Sequence, residues 1–166
     1  MQLESRGKME CAEIVLREYR EDDLEAIVRL DDACFAAKFR FDRESMRRFA
    51  EDPNAIALVA EVNAGTVAGF VIVQVERTVA GRQGYVVTLD VAHACRRTGL
   101  ATKLMEAVEM RVAAAGARWI GLHVFTGNDG AIGFYDRQGY ERIGLKRRFY
   151  GRAGDAFMYR KRLINS

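Results

Sequence analysis

The 166-residue chain predicts a mixed α/β fold on a single sheet, and three observations carry that reading. Seven short runs rich in β-branched and aromatic residues recur along it, at 14–19, 55–62, 66–77, 85–92, 118–125, 140–145 and 155–163. Four runs with helix-like spacing or caps separate them, at 22–35, 42–52, 99–115 and 129–138. The length suits one domain with an adequate core, and no repeat, low-complexity stretch or linker divides it. The predicted order is β α α β β β α β α β β, with a single domain over 12–164 and a polar N-terminal extension over 1–11.

Each element has a local reason. Asp22 and Asp23 are placed to cap the first helix, which runs to about Phe35. The stretch FAAKFRF (35–41) is an aromatic link without a clear period. DRESMRRFAED (42–52) reads as a short helix closed by Pro53, the one proline. AIALVAEV and TVAGFVIVQVER flank Asn63-Ala64-Gly65, a good hairpin turn. AGRQG (80–84) reads as a loop, and YVVTLDVA follows as a strand. Leu100, Leu104, Met105, Val108 and Val112 share one helical face, and Gly116 suits its left-handed end. After RWIGLHVF, Asn128 can cap a helix that Gly139 ends.

Composition excludes several classes. No stretch approaches the ~20 apolar residues of a membrane span. The N-terminal MQLESRGKMECAE lacks a signal-peptide core, so a cytoplasmic protein is expected. Cys11, Cys34 and Cys95 fit no zinc or CxxC spacing, and only His93 and His123 could assist, so no metal and reduced thiols are expected. Net charge is +3, but residues 1–60 carry 10 basic and 14 acidic side chains, leaving the excess positive charge in the remainder. That C-terminal part could hold an anionic ligand. No aromatic-basic motif accompanies the charge, so nucleic acid is not expected.

One octet concentrates the chemistry. CRRTGLAT (95–102) places Arg96 and Arg97 where a strand gives way to a helix. A helix start offers unpaired N–H groups and the positive end of its dipole. Gly99 and Ala101 leave the backbone accessible to a bulky anion. The stretch is neither a P-loop nor a dinucleotide GxGxxG. Taken alone it is equally an ordinary turn with solvated arginines.

RRTGLA (96–101) resembles the (Q/R)-x-x-G-x-(G/A) motif of the GNAT superfamily of N-acetyltransferases. LDV (89–91) before it, N-x-x-A-x-x-x-Y (Asn128, Ala131, Tyr135) after it, and GY (139–140) fall where that family carries them. The likeness covers about 12–164. It is nearest to protein N-terminal acetyltransferases, including the ribosomal-protein-alanine group, on LHV (122–124), the pair Phe149-Tyr150 and the strand DAFMYRKRL. The resemblance implies a mostly antiparallel sheet flanked by helices, with acetyl-coenzyme A as co-substrate. Its pyrophosphate would lie on Arg96, Arg97, Gly99, Leu100, Ala101 and Thr102. Its pantetheine arm would pair with Leu89, Asp90 and Val91, and Asn128 and Tyr135 would contact it near the sulfur.

The same resemblance implies His123 as the base, Tyr85 as its water-positioning partner and Tyr135 as the donor to the departing thiolate. A histidine's ordinary pKa suits that work on an α-amine. Phe35 and Phe39, with Phe41, would form one wall of the acceptor groove, and Phe149 and Tyr150 the other. Read as residues alone, His123 is equally a structural strand histidine, and the aromatics equally core. Cys95 has no evident base partner and is expected to be a bystander. The expected acceptor is a protein or peptide N-terminus. The alternatives are a small amine, or a module that binds the coenzyme without catalysis. A monomer or homodimer without membrane attachment is expected.

Overall fold

A computed structural model describes residues 13–164; the extension expected over 1–11 lies outside them. Seven strands form one sheet: β1 (Ile14–Glu18), β2 (Ala55–Val62), β3 (Thr66–Thr78), β4 (Gly81–Val91), β5 (Ala117–Phe125), β6 (Glu141–Lys146) and β7 (Ala156–Arg162). Four helices connect them: α1 (Leu24–Cys34), α2 (Arg43–Glu51), α3 (Leu100–Ala114) and α4 (Asp129–Arg137). The predicted order holds throughout. Spatial order is β1-β2-β3-β4-β5-β7-β6, and every neighbouring pair is antiparallel except β4–β5.

The parallel pair exists because α3 carries the chain across one face of the sheet between β4 and β5, as a parallel connection requires. The stripe Leu100, Leu104, Met105, Val108 and Val112 is buried against that face. Ile27 and Leu30 of α1 and Met46 of α2 pack with Phe70 and Ile72 on the opposite face. Two cores therefore grip the sheet from both sides.

Capping differs from expectation at one point. Asp23 makes no side-chain cap to α1. Its carboxylate instead takes two hydrogen bonds from Arg17, at 2.7 Å each. Asp42 caps α2 by accepting from Ser45 N (2.7 Å). Asn128 caps α4 by accepting from Ala131 N (3.1 Å).

The loop expected over 80–84 is shorter than predicted. Thr78 Oγ1 accepts from Ala80 N and donates to Gly81 O, closing a tight hairpin, and β4 starts at Gly81. Gly84, at the end of the expected loop, is a strand residue with a packing purpose. A Cβ there would lie 2.7 Å from Val112 of α3.

Ile72 of β3 faces Thr88, and Val73 faces Val86. Val87 is therefore the extra residue of a β-bulge, which bends a strand and sharpens its twist. The bulge falls where β4 and β5 part. Their pairing runs only from Arg82–Ala117 to Tyr85–Gly121. Beyond it, Leu89, Asp90 and Val91 pair with β3 but not with β5.

Candidate active site

A cavity of about 710 Å³ occupies the split between β4 and β5. Arg96 and Ala101 line one end, at the start of α3. Leu89, Asp90 and Val91 line the middle with Asn128 and Tyr135, and Tyr85, His123, Phe39 and Tyr150 line the other end. Most of the candidate residues are thus brought to one cavity.

The end at α3 has the character of an anion site. No side chain caps the helix, so its first-turn N–H groups have no carbonyl ahead of them. Arg97 (φ +63°) and Gly99 (φ +82°) both take left-handed backbone, which turns successive N–H groups outward. A Cβ on Gly99 would meet no protein atom; glycine is set here by backbone conformation and leaves the approach open.

The side chains of this loop do less than expected. Arg96 Nε donates to the Val91 carbonyl at 3.3 Å. Thr102 Oγ1 accepts from Gln138, the residue that closes α4 (3.0 Å), and Leu100 is core. Backbone, with Arg97 exposed beside it, is what the loop offers a ligand. In the middle section Cys34 also donates its thiol hydrogen to the Val91 carbonyl (3.4 Å). That oxygen is already engaged, so an incoming strand-like ligand finds the remaining backbone groups of 89–91.

At the far end Tyr85 Oη and His123 Nδ1 are 2.8 Å apart. Alternation on β5 buries Leu122 and Val124 in the core and turns His123 and Phe125 to the cavity. The His123 ring stacks on Phe149, with centroids 4.1 Å apart and planes at 7°. Its Nε2 is buried without a hydrogen-bond partner. Burial, and then the Lys146 charge, lower the imidazole's pKa, so the ring is neutral at neutral pH. Burial, with Tyr150 and Glu76 nearby, pushes Tyr85 up to about 12. The phenol therefore keeps its proton.

Tyr135, on α4, is buried, and burial holds its hydroxyl far above the ordinary phenol range. The hydroxyl makes no hydrogen bond among the described residues, so its proton is free for a ligand.

The expected walls come together, with a redistribution of roles. Phe39, between α1 and α2, lies 4.9 Å from Phe125 and 5.0 Å from Tyr150. Two separate arms, 35–41 and 146–150, thus meet over the cavity. Phe35 also lines it. Phe41 packs edge-on against Phe49 of α2 and anchors its arm from behind. Phe149 clamps His123 more than it walls a groove. Phe125 was missed, although its position two residues after His123 on one strand face marks it. Lys146 and Lys38, over the rings of Phe149 and Phe39, were missed as well; nothing in a solvated charge run signals them.

Cys95 is buried and disulfide-bonded, contrary to the expected reduced thiols. Cys34 is a free cysteine. No group of three or more His, Cys, Asp or Glu among the described residues could hold a metal, and none of their helices is long and apolar enough to cross a membrane.

An uncapped helix mouth, a split sheet and a neutral histidine–tyrosine pair on one cavity fit an acyl-transfer enzyme. The acetyltransferase (GNAT) family model matches residues 16–140. The chain belongs to that family and is an N-acetyltransferase. It is 33% identical over 130 residues to an acetyltransferase of Pectobacterium atrosepticum, covering 77% of this chain and 88% of that one. It is 32% identical over 107 residues to the N-terminal acetyltransferase A catalytic subunit NAA10 of Arabidopsis thaliana, covering 63% of this chain and 56% of that subunit. The chain thus spans about half the subunit's length. Its fold matches that of the Escherichia coli ribosomal-protein-S18-alanine N-acetyltransferase, with a TM-score of 0.80 at 19% identity over 93% and 96% of the two chains. N-terminal acetyltransferases are among the proteins the chain resembles.

Proposed function

We propose that the protein transfers acetyl from acetyl-coenzyme A to the α-amine of a protein or peptide N-terminus. The observation that carries this is the Tyr85–His123 hydrogen bond at one end of a cavity whose other end is the uncapped start of α3. The likeness to N-terminal acetyltransferases supports the acceptor class.

Backbone N–H groups of 97–102 hold the pyrophosphate, and the open stretch 89–91 holds the pantetheine arm, leaving the thioester between Tyr135 and Tyr85. The acceptor enters between the arms that carry Phe39 and Tyr150. An α-ammonium has an ordinary pKa of ~8 and a lysine ~10.4, so a mild base suffices for the first at neutral pH.

The geometry directs how that base works. His123 Nε2 is buried, so the imidazole reaches the cavity through Nδ1 and the Tyr85 hydroxyl. Tyr85 passes its proton to Nδ1 while its oxygen receives one from the amine, directly or through one water. This uses the imidazole tautomer with its proton on Nε2. Tyr85 is thereby a relay, which is more than positioning a water. The amine nitrogen bonds to the thioester carbonyl carbon, and the carbon–sulfur bond breaks. Tyr135 then donates a hydrogen bond to the departing thiolate. No covalent enzyme intermediate arises, and alignment of the two substrates supplies much of the rate.

Thiol-release kinetics against free N-terminal peptides, N-blocked lysine peptides and small amines test the proposal. Free N-terminal peptides are expected to have the highest kcat/KM. A preference for a small amine overturns the acceptor class, and absence of stabilisation by acetyl-coenzyme A at saturating concentration overturns the donor.

A further inference from the structure

Two carboxyl groups are buried beneath the acceptor wall and take no part in the chemistry proposed above. Asp31 of α1 is 0% exposed and Asp90 of β4 is 1% exposed. Asp31 Oδ2 accepts from Phe41 N at 2.9 Å, and Oδ1 has no donor. Asp90 Oδ1 accepts from Thr88 Oγ1, and Oδ2 has no donor. The two carboxyls bear directly on each other where α1 packs on β4.

Carboxylate oxygens are acceptors only, so a bond between two carboxyls requires a proton on one of them. We propose that Asp31 and Asp90 share one proton, and that this proton docks the acceptor-wall segment 35–41 onto the donor strand β4. Asp31 reaches that segment through Phe41 N, and Asp90 lies on the stretch assigned to the pantetheine arm. The adjacent thiol of Cys34, bonded to the Val91 carbonyl, joins the same two elements.

The surroundings favour the proton. Asp32 and Arg40 bear on Asp31 from α1 and its link, while Arg96, Cys34 and Tyr135 lie near Asp90. Arg96 and Arg40 spend hydrogen bonds on the carbonyls of Val91 and Phe35. Neither aspartate forms a salt bridge with a cation among the described residues. Burial is the largest cause raising both carboxyls; the charge of Asp31 raises Asp90 further, whereas the interaction with Asp90 lowers Asp31. The folded protein therefore holds a proton that the unfolded chain has released. The pair's stabilising effect is complete at low pH and fades as pH rises through its titration. Once the proton is lost, two negative charges share an apolar site and the wall segment is pushed off β4.

The proton itself is independent of the acceptor's identity; only the docking consequence rests on the proposed function. Asp31→Asn and Asp90→Asn each replace the shared proton by an amide hydrogen. Urea unfolding against pH is read first. Above the ordinary carboxylate range, the wild-type unfolding constant is expected to rise about tenfold more per pH unit than that of either variant. Parallel pH dependences overturn the shared proton whatever the enzyme acetylates. The acceptor KM is read second. It is expected to climb on the alkaline side for wild type and to stay flat for Asp31→Asn, with donor KM alike in both. Parallel acceptor profiles overturn the docking. Should neither variant fold, the wild-type infrared spectrum decides. A protonated carboxyl band at neutral pH supports the pair, and its absence overturns it.

Discussion

Tyr85 Oη stands 2.8 Å from His123 Nδ1, on the strand pair whose last hydrogen-bonded rung is Tyr85–Gly121. The two side chains project from the point where the sheet divides. Removing either breaks the relay without disturbing the anion site at α3. Tyr85→Phe and His123→Ala are each expected to lower kcat about 10²-fold while acetyl-coenzyme A binding is retained. Single-turnover kinetics beside calorimetric titration of the donor check this. An unchanged kcat for both variants contradicts the relay.

The pH profile depends on Lys146. Burial of the imidazole, and then the Lys146 charge, keep it below its ordinary value, so the base is neutral at neutral pH and fails only as pH falls. Lys146→Gln removes one of the two causes and moves the acid limb of kcat to higher pH. A limb that stays in place, or moves to lower pH, refutes the electrostatic link.

Gly99 tests the donor end. Its φ of +82° is one that alanine adopts at a cost of about 1–2 kcal/mol. Gly99→Ala is expected to raise the KM for acetyl-coenzyme A, with the acceptor KM little changed. A selective rise in acceptor KM would show that the cavity's two ends have been assigned the wrong way round.

Phe39 tests the acceptor end. Its contacts with Phe125 and Tyr150 are of a kind worth about 0.5–1.5 kcal/mol each. Phe39→Ala is expected to raise acceptor KM about tenfold and to leave donor KM in place. Steady-state kinetics with each substrate varied in turn distinguish the cases.

Gly84→Ala probes the frame rather than the site. The added Cβ would sit 2.7 Å from Val112 in a filled core, an overpacking that costs about 1–3 kcal/mol. A lowered urea midpoint with unchanged slope is expected, and an unchanged midpoint would mean that α3 yields easily.

Much of this was legible in the sequence because period and punctuation carry it. The stripe from Leu100 to Val112 and the cap at Asn128 follow from local rules, and both stand in the structure. Placing His123 on the strand face opposite Leu122 and Val124 needed only alternation. The same rule reaches Phe125, but it names no partner across space. Gly84 falls in the expected loop because its neighbour Val112 is distant in sequence. Asp31 carries no local signal that a second carboxyl lies against it. Phe149 reads as a groove wall, and only the fold brings its face onto His123. The features that escaped the sequence are contacts between elements far apart in the chain.

The gap between β4 and β5 opens in the interior of the sheet, four strands from one edge and three from the other. Beyond Tyr85 and Gly121 the two halves are no longer stitched to each other by a strand ladder. A ligand arm lying there laces them together, so cargo and brace are the same object. The protein is then stiffest when loaded and slackens with each turnover, and its mechanical state follows the supply of acetyl donor.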